Sequence, residues 1–154
     1  MKTFGIVSVG LVLALMGCGK KNVVLNAEEN KVTKSGVISV WGTELKIKSK
    51  KFDVLLHITN ESKGSIIIHH SSMLCARGAK NGILKHSFFG AGEKTIDFAT
   101  GQSKKFRMTC DIDDKSTGDF TITIPKVYEN PTGDGRTSGK VIGSDIIWTV
   151  KDTH

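Results

Sequence analysis

A two-residue alternation of apolar and polar side chains is the feature that most restricts the fold of this chain. Phe52, Val54, Leu56 and Ile58 share one face of a predicted strand, and His57 lies on the other. Successive side chains of a β-strand point to opposite faces, so this pattern predicts a strand with one buried face. Further strands are predicted at 44–50, 65–70, 83–89, 94–98, 104–112, 119–126 and 145–151.

These predicted strands are separated by turn formers, and no stretch after residue 18 has the apolar spacing of a long helix. The pattern therefore predicts an all-β fold, an antiparallel β-sandwich. The Asn60–Gly64 turn predicts a hairpin that leads into 65–70. Residues 130–143 are rich in Gly and turn formers and indicate a long, mobile connection before the last strand.

The N-terminus has the pattern of an export signal. Lys2 precedes an uncharged apolar run over 4–16, which is too short to span a bilayer as a helix. The run ends in Leu15-Met16-Gly17-Cys18, which resembles the lipobox of bacterial lipoproteins. That resemblance implies cleavage before Cys18 and lipidation of its thiol. The alternative is an ordinary signal peptide followed by an unrelated cysteine.

These features predict a signal peptide at 1–17, a lipidated tether at 18–34 and one sandwich domain at 35–154. Within the tether, Val23-Val24-Leu25 is apolar enough to add an edge strand. Gly19 follows the cysteine that would be lipidated. By the sorting rule of the lipoprotein family, proteins with Asp at this position are retained in the inner membrane. The resemblance therefore implies a lipid-anchored protein of the cell envelope, at the outer membrane.

Cys75 and Cys110 are the two cysteines left after Cys18, and they allow one intramolecular pairing. Cys110 shares the apolar face of its predicted strand with Phe106 and Met108, so its thiol should point inward. Cys75 follows Met73 in the same alternation. Exported proteins often enter an oxidising compartment, and we therefore predict a buried disulfide between Cys75 and Cys110. The alternative is a pair of buried thiols.

Two groups of side chains could carry a binding function. Imidazole, thioether and thiolate groups suit Cu(I), and the candidates are His57, His69, His70, His86, Met73, Met108, Cys75 and Cys110. The alternative is exposed histidines and a core methionine, so we assign no metal ligand or cofactor. Basic stripes, which fit either anionic lipid or a solvated sheet face, occur at Lys46, Lys48, Lys50 and Lys51, and at Lys104, Lys105 and Arg107.

The predicted layout over 35–151 resembles the immunoglobulin-like domains of unassigned function on bacterial lipoproteins and secreted antigens. The resemblance rests on the strand that ends in Ile58-Thr59-Asn60-Glu61-Ser62, the turn Gly90-Ala91-Gly92-Glu93 and the strand Gly118-Asp119-Phe120-Thr121-Ile122. It implies architecture only, because a fold does not define a function.

No catalytic motif occurs in the chain, and aromatic residues, which nucleic-acid binding would use, make up only 6% of it. We therefore predict a membrane-anchored lipoprotein that is not an enzyme, needs no cofactor and binds no nucleic acid. Its partner would be another envelope component, a protein or a polymer. The alternative function is a periplasmic, copper-type metal-binding protein.

Overall fold

The computed structural model describes residues 21–34, 36–86, 95–113 and 115–152. The predicted signal peptide, Cys18 and Gly19 lie outside the described residues. So do the predicted turn at 90–93 and the end of the strand predicted at 83–89.

Within the described residues the chain forms twelve strands, one short helix and one 3₁₀ turn at His70–Ser72. The first elements are β1 (Lys21–Val24), the helix α1 (Ala27–Asn30), β2 (Val32–Lys34), β3 (Ile38–Lys48), β4 (Lys51–Asn60) and β5 (Ile66–His69). They are followed by β6 (Leu74–Arg77), β7 (Lys80–Asn81), β8 (Ile83–His86), β9 (Thr95–Phe98), β10 (Ser103–Asp111), β11 (Phe120–Glu129) and β12 (Val141–Val150).

The strands form two six-stranded sheets. Sheet A has the order β1-β3-β4-β10-β8, with β2 also paired to β3. Sheet B has the order β7-β6-β11-β5-β9, with β12 paired to β11. Neighbouring strands are antiparallel in both sheets. The prediction of an all-β antiparallel sandwich is confirmed.

The inward faces of the two sheets make one hydrophobic core. Phe52, Val54, Leu56 and Ile58 of β4 are fully buried, as their alternation predicts. The ring of Phe52 meets that of Phe120 from sheet B edge to face, at 5.2 Å between centroids. Full burial of one such side chain stabilises the fold by about 1.5 to 3 kcal/mol, so this alternation drives the packing of the sheets.

Strand β3 begins earlier than the strand predicted at 44–50. It starts at Ile38, and its register with β4 shifts between Gly42 and Glu44. A β-bulge inserts one extra residue and interrupts the two-residue alternation. The pattern before Glu44 was therefore not recognised as part of the same strand.

The hairpin predicted from β4 into β5 is wrong, because the two strands belong to different sheets. Asn60, at the end of β4, is fully buried and holds the connection by which the chain crosses from sheet A to sheet B. Its Nδ2 donates to the carbonyl oxygens of Gly64 at 2.7 Å and Ala99 at 3.0 Å, and its Oδ1 accepts from the Ser62 backbone N–H at 2.9 Å. These hydrogen bonds give backbone polar groups of the connection their partners without a β4–β5 pairing.

The segment interpreted as a tether also differs from expectation, since two stretches of it, 21–24 and 32–34, are strands of sheet A. Both β1 and β2 pair with β3, and α1 lies between them. Asn30 fastens α1 to the domain: its Oδ1 accepts from Gly42 N at 2.6 Å and from Trp148 Nε1 at 2.9 Å. The edge strand suggested by Val23-Val24-Leu25 is confirmed as β1.

Candidate functional site

The two predicted disulfide cysteines are joined. Cys75 on β6 of sheet B and Cys110 on β10 of sheet A form a disulfide with their Cα atoms 6.1 Å apart. Both residues are buried. The bond therefore ties the two sheets together inside the core, as predicted. Gly82 lies against it, and a Cβ atom there would meet the sulfur of Cys110 and lie 3.1 Å from that of Cys75.

The structure separates several of the candidate copper ligands. The disulfide occupies both thiols, and Met73 and Met108 are core residues. His57 is in sheet A, and His69 is in sheet B. The side chain of His86 lies outside the described residues. Among the described residues, no group of three or more His, Cys, Asp and Glu side chains could hold a metal ion.

His57 has other contacts that explain its position. Its ring stacks on Trp41 with centroids 5.1 Å apart, and its Nε2 lies 3.2 Å from Thr43 Oγ1. Burial, together with the positive charge of Lys105, lowers the pKa of His57 below its ordinary value. A neutral imidazole therefore completes this outer face of sheet A.

One serine–histidine contact was not foreseen from the sequence. His69 Nε2 lies 2.8 Å from Ser138 Oγ, although the residues are 69 positions apart. Within the described part of the chain, no carboxylate bonds to His69. Thr95 Oγ1 also donates to the Gly135 carbonyl at 2.8 Å. These bonds attach the connection between β11 and β12 to sheet B.

The predicted basic stripes lie on neighbouring strands of sheet A and are partly neutralised there. Glu44 lies 2.8 Å from Arg107 and 3.3 Å from Lys46. The hydrogen bond from Arg107 is the largest influence on the pKa of Glu44 and, with Lys46, lowers it against the effect of burial. The middle of this face is therefore a network of paired charges rather than a bare cationic stripe.

Asp53 neutralises the next part of the stripe. Its carboxylate accepts from Lys48 Nζ at 2.6 Å and from Thr109 Oγ1 at 2.7 Å. Burial alone would raise the pKa of Asp53, but these hydrogen bonds and the charges of Lys48 and Lys51 lower it overall. Among the described residues, Lys50 and Lys51 form no ion pair of their own.

The outer face of sheet B carries a different surface. Leu74, Thr123 and Ile147 lie side by side on β6, β11 and β12. The side chains of Leu74 and Ile147 are 60% and 50% exposed. Thr121 pairs with Ala76 and Thr149 in the adjacent row. This part of the face has no charged residue, in contrast to sheet A.

A cleft of about 460 Å³ opens between the sheets beside β1. Its apolar wall is formed by Val23, Leu45, Ile47, Phe120 and Val150. Asn26, Glu29 and Lys151 are polar residues that also line it. Its size and mixed lining are those of a small-ligand site. The residues come from four separate segments of the chain, and no pattern in the sequence links them.

No helix in the described residues is long and apolar enough to cross a membrane. The fold and the bond between Cys75 and Cys110 define the class: an antiparallel β-sandwich with its sheets joined by a disulfide. No protein-family model matches the sequence, and no curated protein matches it.

Among solved structures, the fold is similar to the crystal structure of ycdA, a candidate lipoprotein from Bacillus subtilis. The TM-score is 0.52 at 7% sequence identity, and the match covers 79% of this chain. The match spans only 38% of the length of the Bacillus protein. At this identity the likeness concerns the fold alone.

Proposed function

We propose that this protein is a lipoprotein of the cell envelope, anchored through Cys18, whose sandwich is a non-enzymatic binding module for another envelope component. The observation that carries the proposal is the position of the first strand, since β1 begins three residues after Cys18. Three residues span at most about 10 Å, so a lipid on Cys18 would hold the folded domain at the membrane surface.

Two further observations support this function. An inter-sheet disulfide suits an exported protein, because such bonds persist in oxidising compartments. The similar Bacillus protein is itself described as a candidate lipoprotein. The immunoglobulin-like relationship and the outer-membrane location remain predictions that accompany this proposal. The copper-type function through His and Met residues stays an alternative prediction, and no group of three or more described His, Cys, Asp and Glu side chains supports it.

Lipid labelling tests the anchor. The unaltered protein should incorporate a labelled fatty acid, and Cys18→Ser should abolish incorporation because the acceptor thiol is lost. Cys75→Ser is a matched control, since it removes a different thiol and should leave labelling intact. An unaltered protein that incorporates no lipid would contradict the anchor.

The cleft beside β1 is the binding site that we propose for the module, since it is concave and lies next to the first described strand after Cys18. Val24 lines it and is 89% exposed, so Val24→Asp should place a charge in the cleft without disturbing the core. Val141→Asp is the matched control, because Val141 is 46% exposed near the other end of the sandwich.

Affinity capture from envelopes, with the lipidated protein as bait, measures the effect of these variants. We expect a specific envelope component to be retained by the unaltered protein and Val141→Asp, and to be lost with Val24→Asp. Equal capture by all three proteins would show that the cleft is not the binding site.

A further inference from the structure

We propose that one end of the sandwich docks onto the anionic phospholipid surface of the membrane that carries the anchor. We call it the anchor end, defined by Lys21 at the start of β1, Lys50 and Lys51 at the β3–β4 turn, Lys80 on β7, Lys115 before β11, and Lys151 after β12. This inference rests on the proposed lipidation of Cys18.

The strand register places the proposed lipid attachment at this end. Lys21 pairs with Ile47, and β3 then runs through Lys48 into the turn that begins β4. Lys21, the first described residue, therefore lies at the end of sheet A that carries Lys50 and Lys51. A lipid on Cys18 would hold this turn, rather than the opposite end of the sheet, close to the membrane.

Contacts between the sheets bring Lys115 and Lys151 to the same end, and the pairing of Arg77 with both Phe120 and Lys80 brings Lys80 there. The N–H of Ile112, just after β10, donates to the Lys50 carbonyl at 2.8 Å. The ring of Phe52 at the start of β4 meets that of Phe120 at the start of β11. Lys115 precedes β11, and Lys151 follows the strand end that pairs with Phe120.

The anchor end is net positive among the described residues. The six lysines that define it form no ion pair within the described part of the chain. The other three cations at this end are paired with carboxylates, as Lys48–Asp53, Arg77–Asp152 and Lys85–Asp111. Two further carboxylates, those of Asp113 and Asp119, accept backbone N–H groups of Lys115 and Asp152. The described cations of this end therefore outnumber its described carboxylates.

This charge suits an anionic bilayer. A lysine near such a surface favours binding roughly fivefold, and the attraction decays over a Debye length of about 10 Å at moderate salt. The link from Cys18 to Lys21 is no longer than that, so the anchor would keep the lysines within range. Lys21, Lys50, Lys80, Lys115 and Lys151 are all exposed and able to reach phosphate groups.

Lysine footprinting tests the docking. The lipidated protein is reconstituted into phosphatidylcholine vesicles with or without phosphatidylglycerol, acetylated briefly and analysed by mass spectrometry. We expect Lys115 and Lys151 to react more slowly on the anionic vesicles, and this protection to disappear at high salt. Lys63, which follows the far end of β4, should react equally on both.

A double charge reversal tests the role of the turn. Lys50→Glu with Lys51→Glu should weaken the protection of Lys115 and Lys151 by roughly fivefold or more for each lysine changed. Lys34→Glu with Lys63→Glu makes the same charge change at the opposite end and should leave that protection intact.

The outcomes separate this inference from the proposed function. A protein that fails to stay with the vesicles contradicts the lipid anchor. A vesicle-bound protein whose lysines react equally with and without phosphatidylglycerol overturns the docking and leaves the anchor standing. Protection that arises only when envelope extract is added would assign the lysines to an acidic protein instead, and would also overturn it.

Discussion

A Cβ atom at Gly42 would lie 2.6 Å from Cζ2 of Trp148 and 3.0 Å from Cδ1 of Leu25. Trp148 is 1% exposed, and its indole N–H is held by Asn30, so the ring has little room to move. The missing side chain at Gly42 thus permits the close packing of Trp148 and Leu25 against β3.

We therefore expect Gly42→Ala to destabilise the protein by about 1 to 3 kcal/mol, the usual cost of forcing extra volume into a packed site. Gly64→Ala is the control, because a Cβ atom there would meet nothing within 4 Å. Urea unfolding of the soluble domain measures both. Equal stability of the two variants would show that Trp148 adapts without cost.

Asp53 should make the stability of the protein depend on pH. Its folded-state pKa lies below the ordinary value, because hydrogen bonds from Lys48 and Thr109 outweigh burial. A depressed carboxyl pKa contributes stability that is present above the unfolded pKa, near 3.8, and is lost as pH falls through the folded value.

Asp53→Asn should therefore lower the free energy of unfolding by about 1 to 3 kcal/mol at neutral pH. The difference from the unaltered protein should shrink as the pH falls below 4. Asp97→Asn serves as control, since Asp97 is 55% exposed and 3.5 Å from Lys104. A difference that stays constant down to acid pH would mean that the Asp53 charge contributes nothing.

At the scale of elements, the disulfide is what fixes the short strand β6 to sheet A. β6 has only four residues, and Leu74 on it is largely exposed. The strand therefore buries little apolar surface of its own. The cystine closes a loop of 35 residues and places Cys75 against β10 in the opposite sheet.

Replacing both cysteines by alanine should cost about 2 to 5 kcal/mol, because the unfolded chain regains its loop entropy. Thermal unfolding of the exported protein measures the loss. Reduction of the unaltered protein should reproduce it, whereas the double variant should not respond to reductant. Two alkylated thiols in unreduced, exported protein would contradict the disulfide.

At the scale of the whole molecule, the two ends of the sandwich differ in chemistry. The anchor end holds the six lysines that define it, among them Lys21, the first described residue. The opposite end holds the Asn60 crossing and the connection between β11 and β12, which His69 and Thr95 attach to sheet B. If the proposed anchor on Cys18 is correct, this difference between the ends predicts one fixed orientation of the domain on the membrane.

Which membrane carries the protein depends on Gly19 in our proposal, by the sorting rule of the lipoprotein family. Gly19→Asp should move the protein from the outer to the inner membrane fraction of a double-membraned cell. Density-gradient fractionation of envelopes provides the measurement, and Lys20→Asp, one position further along, is the matched control. An unaltered protein found in the inner membrane fraction would contradict the outer-membrane prediction.

The sequence by itself determined the local features of this protein. The alternation of Phe52, Val54, Leu56 and Ile58, and the inward position of Cys110, could be predicted because strand geometry repeats every two residues. Those patterns sufficed for the sandwich, for most of its strands and for the disulfide. The pattern failed at Gly42 and at Leu74, where a bulge and a short exposed strand break the alternation.

Only the tertiary structure decided how the segments meet. The separation of β4 from β5, the docking of α1 on Gly42 and Trp148, and the contact of Ser138 with His69 join residues that are distant in the chain. The cleft and the anchor end are likewise formed by residues from separate segments of the chain. Local periodicity sets which face of a strand is buried, but the choice of its neighbour depends on how both sheets fill one shared core.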